Sequence, residues 1–146
     1  MKTKTIIISS IIATILLISY FSLLNTNSTT YQEKILKSVS LSEWKNTYEN
    51  NKNLIIIDVR TPEEYNKGHI ENAINIDYYN PNFQTELKKL DKTKEYLIHC
   101  KSGSRSGKTL NIMKNLNFKN VLNLKGGING WITAKYKTTT KCPHCL

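Results

Sequence analysis

The sequence predicts an α/β fold, a parallel sheet with helices on both faces, preceded by one N-terminal hydrophobic helix. Three observations carry this. "NLIIIDV" (53–59) and "EYLIHC" (95–100) are continuous apolar runs, as expected of strands buried on both faces. Amphipathic, capped stretches alternate with strand-like runs across short connections, which demands crossover helices and a parallel sheet. Finally, "IIISSIIATILLISYFSLL" (6–24) carries no charge in nineteen positions; as a helix it would be about 28 Å long, close to a bilayer's hydrocarbon thickness.

Taken in order, residues 1–24 read as a signal anchor or signal peptide. Residues 25–34 then form a polar linker, "NTNSTTYQ" and its continuation. A first short strand is expected around Leu36 to Val39. Ser40 or Ser42 caps a helix over "LSEWKNTYENN", with Leu41, Trp44 and Tyr48 on one face. After the strand at 53–59, Thr61 is an N-cap, Pro62 occupies the first helical position, and Gly68 closes a short helix. "NAINID" is a brief strand and "NPNFQTELKKL" a turn and helix. "EYLIHC" is followed by "SGKTLNIMKNLNF", a helix with Leu110, Met113 and Leu116 inward. "NVLNLKGG" is a last strand and "INGWITAKY" a final helix. The domain is bounded at 35–134, leaving 135–146 as a C-terminal tail with Cys-Pro-His-Cys.

Composition narrows the function classes. Hydrophobic residues make up 39% of 146 residues, enough for one packed domain and too many for global disorder. The formal net charge is +10, but the lysines are scattered, without a basic run or an interleaved aromatic ladder. This is a solvated basic surface rather than a nucleic-acid interface. Only Arg60 and Arg105 are arginines, so those positions are candidates for planar, bidentate geometry. Lys2 and Lys4 precede the apolar run and no charge follows it until beyond Gln32. The domain is therefore expected to be exported, periplasmic or at the outer face of the cytoplasmic membrane. The run is longer than a usual cleaved signal and lacks a small-x-small site, so an uncleaved tether is favoured.

The chemistry centres on "CKSGSRSG" (100–107). Cys100 ends a buried strand, and in open parallel sheets reactive sites lie outside the strands' carboxyl ends. Gly103 can adopt positive φ and the serines are small, so successive N–H groups can turn inward as a nest. A helix beginning near Ser104 to Ser106 adds its positive end. A thiol at that focus ionises below its ordinary value and becomes a nucleophile. Arg105 offers a planar fork to an oxyanion at the rim, and Lys101 and Lys108 add diffuse positive charge. Cys100 is the candidate catalytic residue, with Lys101, Ser102, Gly103, Ser104, Arg105 and Ser106 as substrate-binding residues. A buried structural cysteine closing the strand is the plainer alternative.

Three ordered segments, "LIIIDVRTPEEYNKGHIENAINI" (54–76), "HCKSGSRS" (99–106) and "VLNLKGGINGW" (121–131), make the chain resemble a single-domain rhodanese over roughly Leu36 to Ala134. The resemblance implies a five-stranded parallel sheet and Cys100 as the sulfur-accepting nucleophile at the base of the loop. Cys100 and Arg105 bracket four residues; related phosphatases and some arsenate reductases have five, a wider cradle suited to a tetrahedral centre. The tighter ring favours sulfur transfer. The implied function is an exported sulfurtransferase moving sulfane sulfur from thiosulfate, polysulfide or persulfide to cyanide or a thiol through a Cys100 persulfide, with no metal or organic cofactor. Its expected partners are a small sulfur-containing anion, a thiol acceptor, and the membrane through residues 6–24.

Asp58, Arg60 and Glu64 read as braces beside the site, although Asp58 or Arg60 can shape the cradle. His69 reads as a hydrogen-bonded turn residue, and Trp131 as packing. His99, one residue before Cys100 on a strand, should face the opposite side. The tail "KCPHCL" has the spacing of a redox motif, but only Leu146 follows Cys145, so the helix that acidifies such thiols is lacking. Three readings stay open: a local Cys142–Cys145 disulfide, a resolving pair that discharges Cys100, and docking or metal capture with His144 and His69 or a partner chain. Two other functions also stay open, a sulfane-sulfur carrier without efficient turnover and a thiol-disulfide protein using Cys142 and Cys145.

Overall fold

The computed structural model describes residues 14–22 and 34–141, which fall in two separate units, Met1–Gln32 and Glu33–Leu146. In the first, helix α1 covers 14–22, about 13 Å at 1.5 Å per residue. These residues are part of the helix expected over 6–24, whose remaining residues lie outside the described ones. Among the described residues, no helix is long and apolar enough to cross a membrane.

The second unit alternates strand and helix throughout. Its elements are β1 (Ile35–Val39), α2 (Leu41–Asn50), β2 (Ile55–Asp58), α3 (Pro62–Asn66), β3 (Ala73–Asn75), α4 (Phe83–Lys89), β4 (Glu95–His99), α5 (Ser104–Asn115), β5 (Asn120–Leu124) and α6 (Gly127–Thr133). The five strands form one sheet in the order β1-β5-β4-β2-β3, and every pairing is parallel. β4 is the central strand and is buried at every position from Tyr96 to His99. Alternate residues feed two cores. Ile56 and Leu97 join Trp44, Tyr65, Ile128 and Trp131 on one face. Ile57, Tyr96 and Ile98 join Phe83, Leu87, Met113 and Phe118 on the other. Helices α2, α3 and α6 thus cover one face, and α4 and α5 the other. Of the helix face expected inward on α5, Met113 is fully buried while Leu110 and Leu116 are half-buried against the second core.

Caps set the helix starts. The Ser40 side chain accepts from Glu43 N at 3.2 Å, so Ser40 rather than Ser42 begins α2. Thr61 and Glu64 form a reciprocal capping box: the Thr61 hydroxyl accepts from Glu64 N at 3.3 Å, and Glu64 Oε2 accepts from Thr61 N at 3.1 Å. With Pro62 at the first turn, these hold a helix of five residues that propensity alone would not sustain.

Order continues past the expected domain limit at 134. Trp131 Nε1 donates to Lys137 O at 2.9 Å, and the Tyr136 ring packs 4.8 Å from that of Trp131. Thr139 and His69 exchange both backbone hydrogen bonds as an antiparallel bridge. Residues 136–141 therefore run as a strap along the chain that enters β3. Cys142, His144 and Cys145 lie outside the described residues.

Candidate active site

Cys100 follows β4 directly and is 1% exposed. Its Sγ lies 3.1 Å from Gly103 N and 3.5 Å from the Ser106 hydroxyl, both of which donate to it. The turn that makes this possible needs Gly103 in the left-handed region, at φ +99. That residue is also the N-cap of α5, so the thiol lies at the amide-rich end of a 12-residue helix. Burial pushes the thiol up, but the Ser106 hydroxyl and the amides of Ser106, Gly103 and Ser102 outweigh it, and the thiol ends below its ordinary value.

The outer side of the same loop is held by α6. Ile128 N donates to Cys100 O at 2.8 Å and Asn129 N to Lys101 O at 3.0 Å. With the loop's carbonyls committed outward, its N–H groups are left to point inward, which is the condition for an anion-holding nest. Gly127 makes the approach possible. It has φ +58, and a Cβ there would stand 2.4 Å from Cys100 O and 2.6 Å from Lys101 C. By sequence, "GG" stands at the end of the last strand; its role as the loop's outer support lies in a distance that no local pattern encodes.

β2 and β4 pair through Asp58 and His99. Their chains then diverge, α3 to one face and α5 to the other, which opens a crevice at the sheet's carboxyl edge. Arg105 and Glu64 bridge that crevice: Nη1 donates to Oε2 at 2.6 Å and Nη2 to Oε1 at 2.9 Å. The fork expected to face an open oxyanion site therefore holds a carboxylate. Hydrogen bonding from Arg105 holds Glu64 down to about 2 against the opposing effect of burial, with a lesser contribution from Thr61 N. The guanidinium also lies against Tyr79, 5.5 Å from the ring centroid. A signal for this pair was present in the Thr-x-x-Glu box followed 41 residues later by a scarce arginine, but nothing in the sequence joins the two.

Below the crevice, Arg60 Nε donates to Asp58 Oδ2 at 2.9 Å, and Arg60 Nη2 donates to Gly68 O at 2.8 Å. Both side chains are buried, so this pair braces the β2 exit, as read. His99 packs edge-on against Trp44 in the first core, whereas Cys100 belongs to the second; the two face opposite sides. Burial pulls His99 down despite Asp58 3.7 Å away, which keeps the imidazole neutral. His69 is indeed hydrogen-bonded: its Nδ1 faces Tyr65 O and its Nε2 faces Lys141 O, each at 3.1 Å. Of the other loop residues, Lys101, Ser102 and Ser104 are exposed and Ser106 is buried. Among the described residues, no group of three or more His, Cys, Asp or Glu side chains could hold a metal ion.

Comparisons with known proteins agree with this architecture. The family model described as "Rhodanese-like domain" matches residues 40–134. A candidate sulfurtransferase of Bacillus subtilis is 34% identical over 96 residues, 66% of this chain and 90% of that protein. The rhodanese-like domain-containing protein 17 of Arabidopsis thaliana is 35% identical over 92 residues, 55% of this chain and 59% of its own length. A tRNA uridine(34) hydroxylase of Pelagibacter ubique, 38% identical over 84 residues, is matched over 28% of its length. Such relatives extend well beyond the shared domain. Among solved structures, a rhodanese-related protein of Thermoplasma volcanium superposes with a TM-score of 0.62 at 30% identity, over 72% of this chain and 99% of that one.

Proposed function

This chain belongs to the rhodanese-like domain family, and on that premise we propose that it is a sulfurtransferase whose Cys100 carries the transferred sulfur. The observation behind this is the position of Sγ, 3.1 Å from Gly103 N and 3.5 Å from the Ser106 hydroxyl, inside a loop whose carbonyls are drawn away by α6. Donors converging on sulfur stabilise a thiolate, and after sulfur uptake they stabilise a persulfide anion in the same place.

In the first half-reaction the Cys100 thiolate attacks the outer sulfur of a sulfane donor. The donor's S–S bond breaks, its electron pair leaves with sulfite or a shortened thiolate, and a new S–S bond forms on Cys100. In the second, cyanide or a thiolate attacks the terminal sulfur, and the bonding pair returns to Cys100 as thiolate. Substrate therefore enters and product leaves in two separate halves, with the persulfide between them. A base is not required, which suits the neutral, buried and opposed His99.

The charge-free run 6–24 behind Lys2 and Lys4 supports reading the domain as exported and tethered, with the catalytic body over 35–134 and Cys142 and Cys145 on a tail. A carrier that loads sulfur and delivers it to a partner is the second reading. Its support is the near-complete burial of Cys100 and a 32% identical Bacillus subtilis relative named for sulfur carriage.

Intact-mass analysis of the full chain after thiosulfate or polysulfide tests the site. One added sulfur that disappears in Cys100→Ser and persists when Cys142 and Cys145 are both serine is the expected result. Uptake that survives Cys100→Ser would refute it. Steady turnover to cyanide then separates an enzyme from a carrier.

A further inference from the structure

The rim of the cradle is not an open cationic site. Arg105 meets Glu64 fork to fork, at 2.6 and 2.9 Å, and the carboxyl, held down to about 2, stays ionised throughout the physiological range. The pair's charges cancel. Beside it stands the Tyr79 ring, 66% exposed and in contact with the guanidinium face. A donor reaching Cys100 through this crevice thus meets a neutral ion pair and a bare aromatic surface, with the thiolate's own negative charge behind them; Arg105 is close enough to feel that charge, and the loop's other cation, Lys101, is solvent-exposed and so screened by water.

We propose that the Glu64–Arg105 pair, with Tyr79, selects an organic persulfide over thiosulfate as the sulfur donor, and that Glu64 is the specificity-determining residue. This rests on Cys100 being the sulfur acceptor. Thiosulfate brings two negative charges to a thiolate and leaves as the sulfite dianion, so three negative charges must be held at one place from start to finish. An uncommitted guanidinium would offset one of them; here Glu64 already does so. A protonated alkyl persulfide, R–S–SH, is neutral. Attack on its terminal sulfur breaks the S–S bond and expels R–S⁻, which takes the proton of the new Cys100–S–SH to leave as R–SH beside the persulfide anion, and the site never holds more than one negative charge. Its organic group can cover Tyr79, which supplies contact area without charge.

Glu64→Gln tests this with little disturbance, because a glutamine oxygen still accepts from Thr61 N in the capping box. Loading of Cys100 is followed by mass as a saturation curve, with thiosulfate and with benzyl persulfide as the probes. Wild-type protein should favour benzyl persulfide. The variant should gain about ten- to hundredfold towards thiosulfate, as one freed charge-assisted contact allows. The gain should lie in the half-saturating concentration rather than the limiting rate, and benzyl persulfide should change by no more than about twofold, within the scatter of an untouched contact. A merely structural role would weaken both donors together. Tyr79→Ala, at an exposed position, supplies an arm independent of folding: it should weaken benzyl persulfide and leave thiosulfate unaltered. Wild-type preference for thiosulfate, or a donor ratio unmoved by either variant, overturns the proposal while sulfur loading stands. Absence of loading by any donor overturns the sulfur-acceptor reading together with it.

Discussion

Replacing Gly127 with alanine should open the reactive loop from behind. The new Cβ would lie 2.4 Å from Cys100 O, about 0.9 Å inside the ~3.3 Å at which carbon and oxygen comfortably meet. The atoms it meets are backbone, so no side chain can rotate away. Left-handed backbone for a non-glycine residue costs about 1–2 kcal/mol. Displacing the loop also endangers the Ile128 N–Cys100 O and Asn129 N–Lys101 O hydrogen bonds, at about 0.5–1.5 kcal/mol each. The sum is about 2–5 kcal/mol, a large share of a small domain's stability. Gly126→Ala isolates the clash, since that residue has φ +80 but nothing within 4 Å of its missing Cβ; only the conformational cost, about 1–2 kcal/mol, applies there. Urea denaturation of both variants gives the difference, and iodoacetamide reactivity of Cys100 reports the loop. Equal destabilisation by the two substitutions, with unchanged Cys100 reactivity, would refute the claim that α6 supports the cradle.

Ser106→Ala removes a donor to the thiolate and should raise the thiol's pKa; at about 1 kcal/mol per hydrogen bond, alkylation near neutral pH should fall roughly fivefold, measured as a pH–rate profile in the presence of tail serines. Glu64 titrates at about 2 against an ordinary 4.5, so its pairing contributes fully above 4.5 and is lost as pH falls from there through about 2. Denaturant titrations in that window should show a slope that Glu64→Gln flattens, by about 1 kcal/mol given the pair's partial exposure. Asp58→Asn leaves Arg60 buried without its counter-charge and should destabilise by about 3–5 kcal/mol, read from the same denaturation curves.

Local signals account for what was legible beforehand. The strands at 55–58 and 95–99 were visible because a strand buried on both faces is apolar through its interior, as Ile55–Ile57 and Tyr96–Ile98 are. The starts of α2 and α3 were visible because Ser40, Thr61 and Pro62 act within one turn of themselves. Cys100 and the Gly103 turn were visible for the same reason. What escaped is carried by distance. Arg105 finds Glu64 across the sheet's crevice, Gly127 is needed because of Cys100 O, and the strap at 136–141 is held by backbone groups, by Trp131 and His69, and by the single ring of Tyr136. "KTTT" is as polar as any linker, so composition could not reveal its pairing. The charge-free run at 6–24 is the plainest feature of the sequence; of it, 14–22 is helix and the rest lies outside the described residues.

The grip of Ile128 and Asn129 on the carbonyls of Cys100 and Lys101 also ties chemistry to the timetable of synthesis. A nascent chain exposes its cysteine before residues 127–129 leave the ribosome, and until they dock the Gly103 turn lacks the outer support that fixes its amides towards the sulfur. The thiol should remain an ordinary, sluggish one during that interval and gain its reactivity only on completion of the sheet. A half-made copy would then be spared from capturing stray oxidants or sulfur compounds, a safeguard that comes from chain order alone.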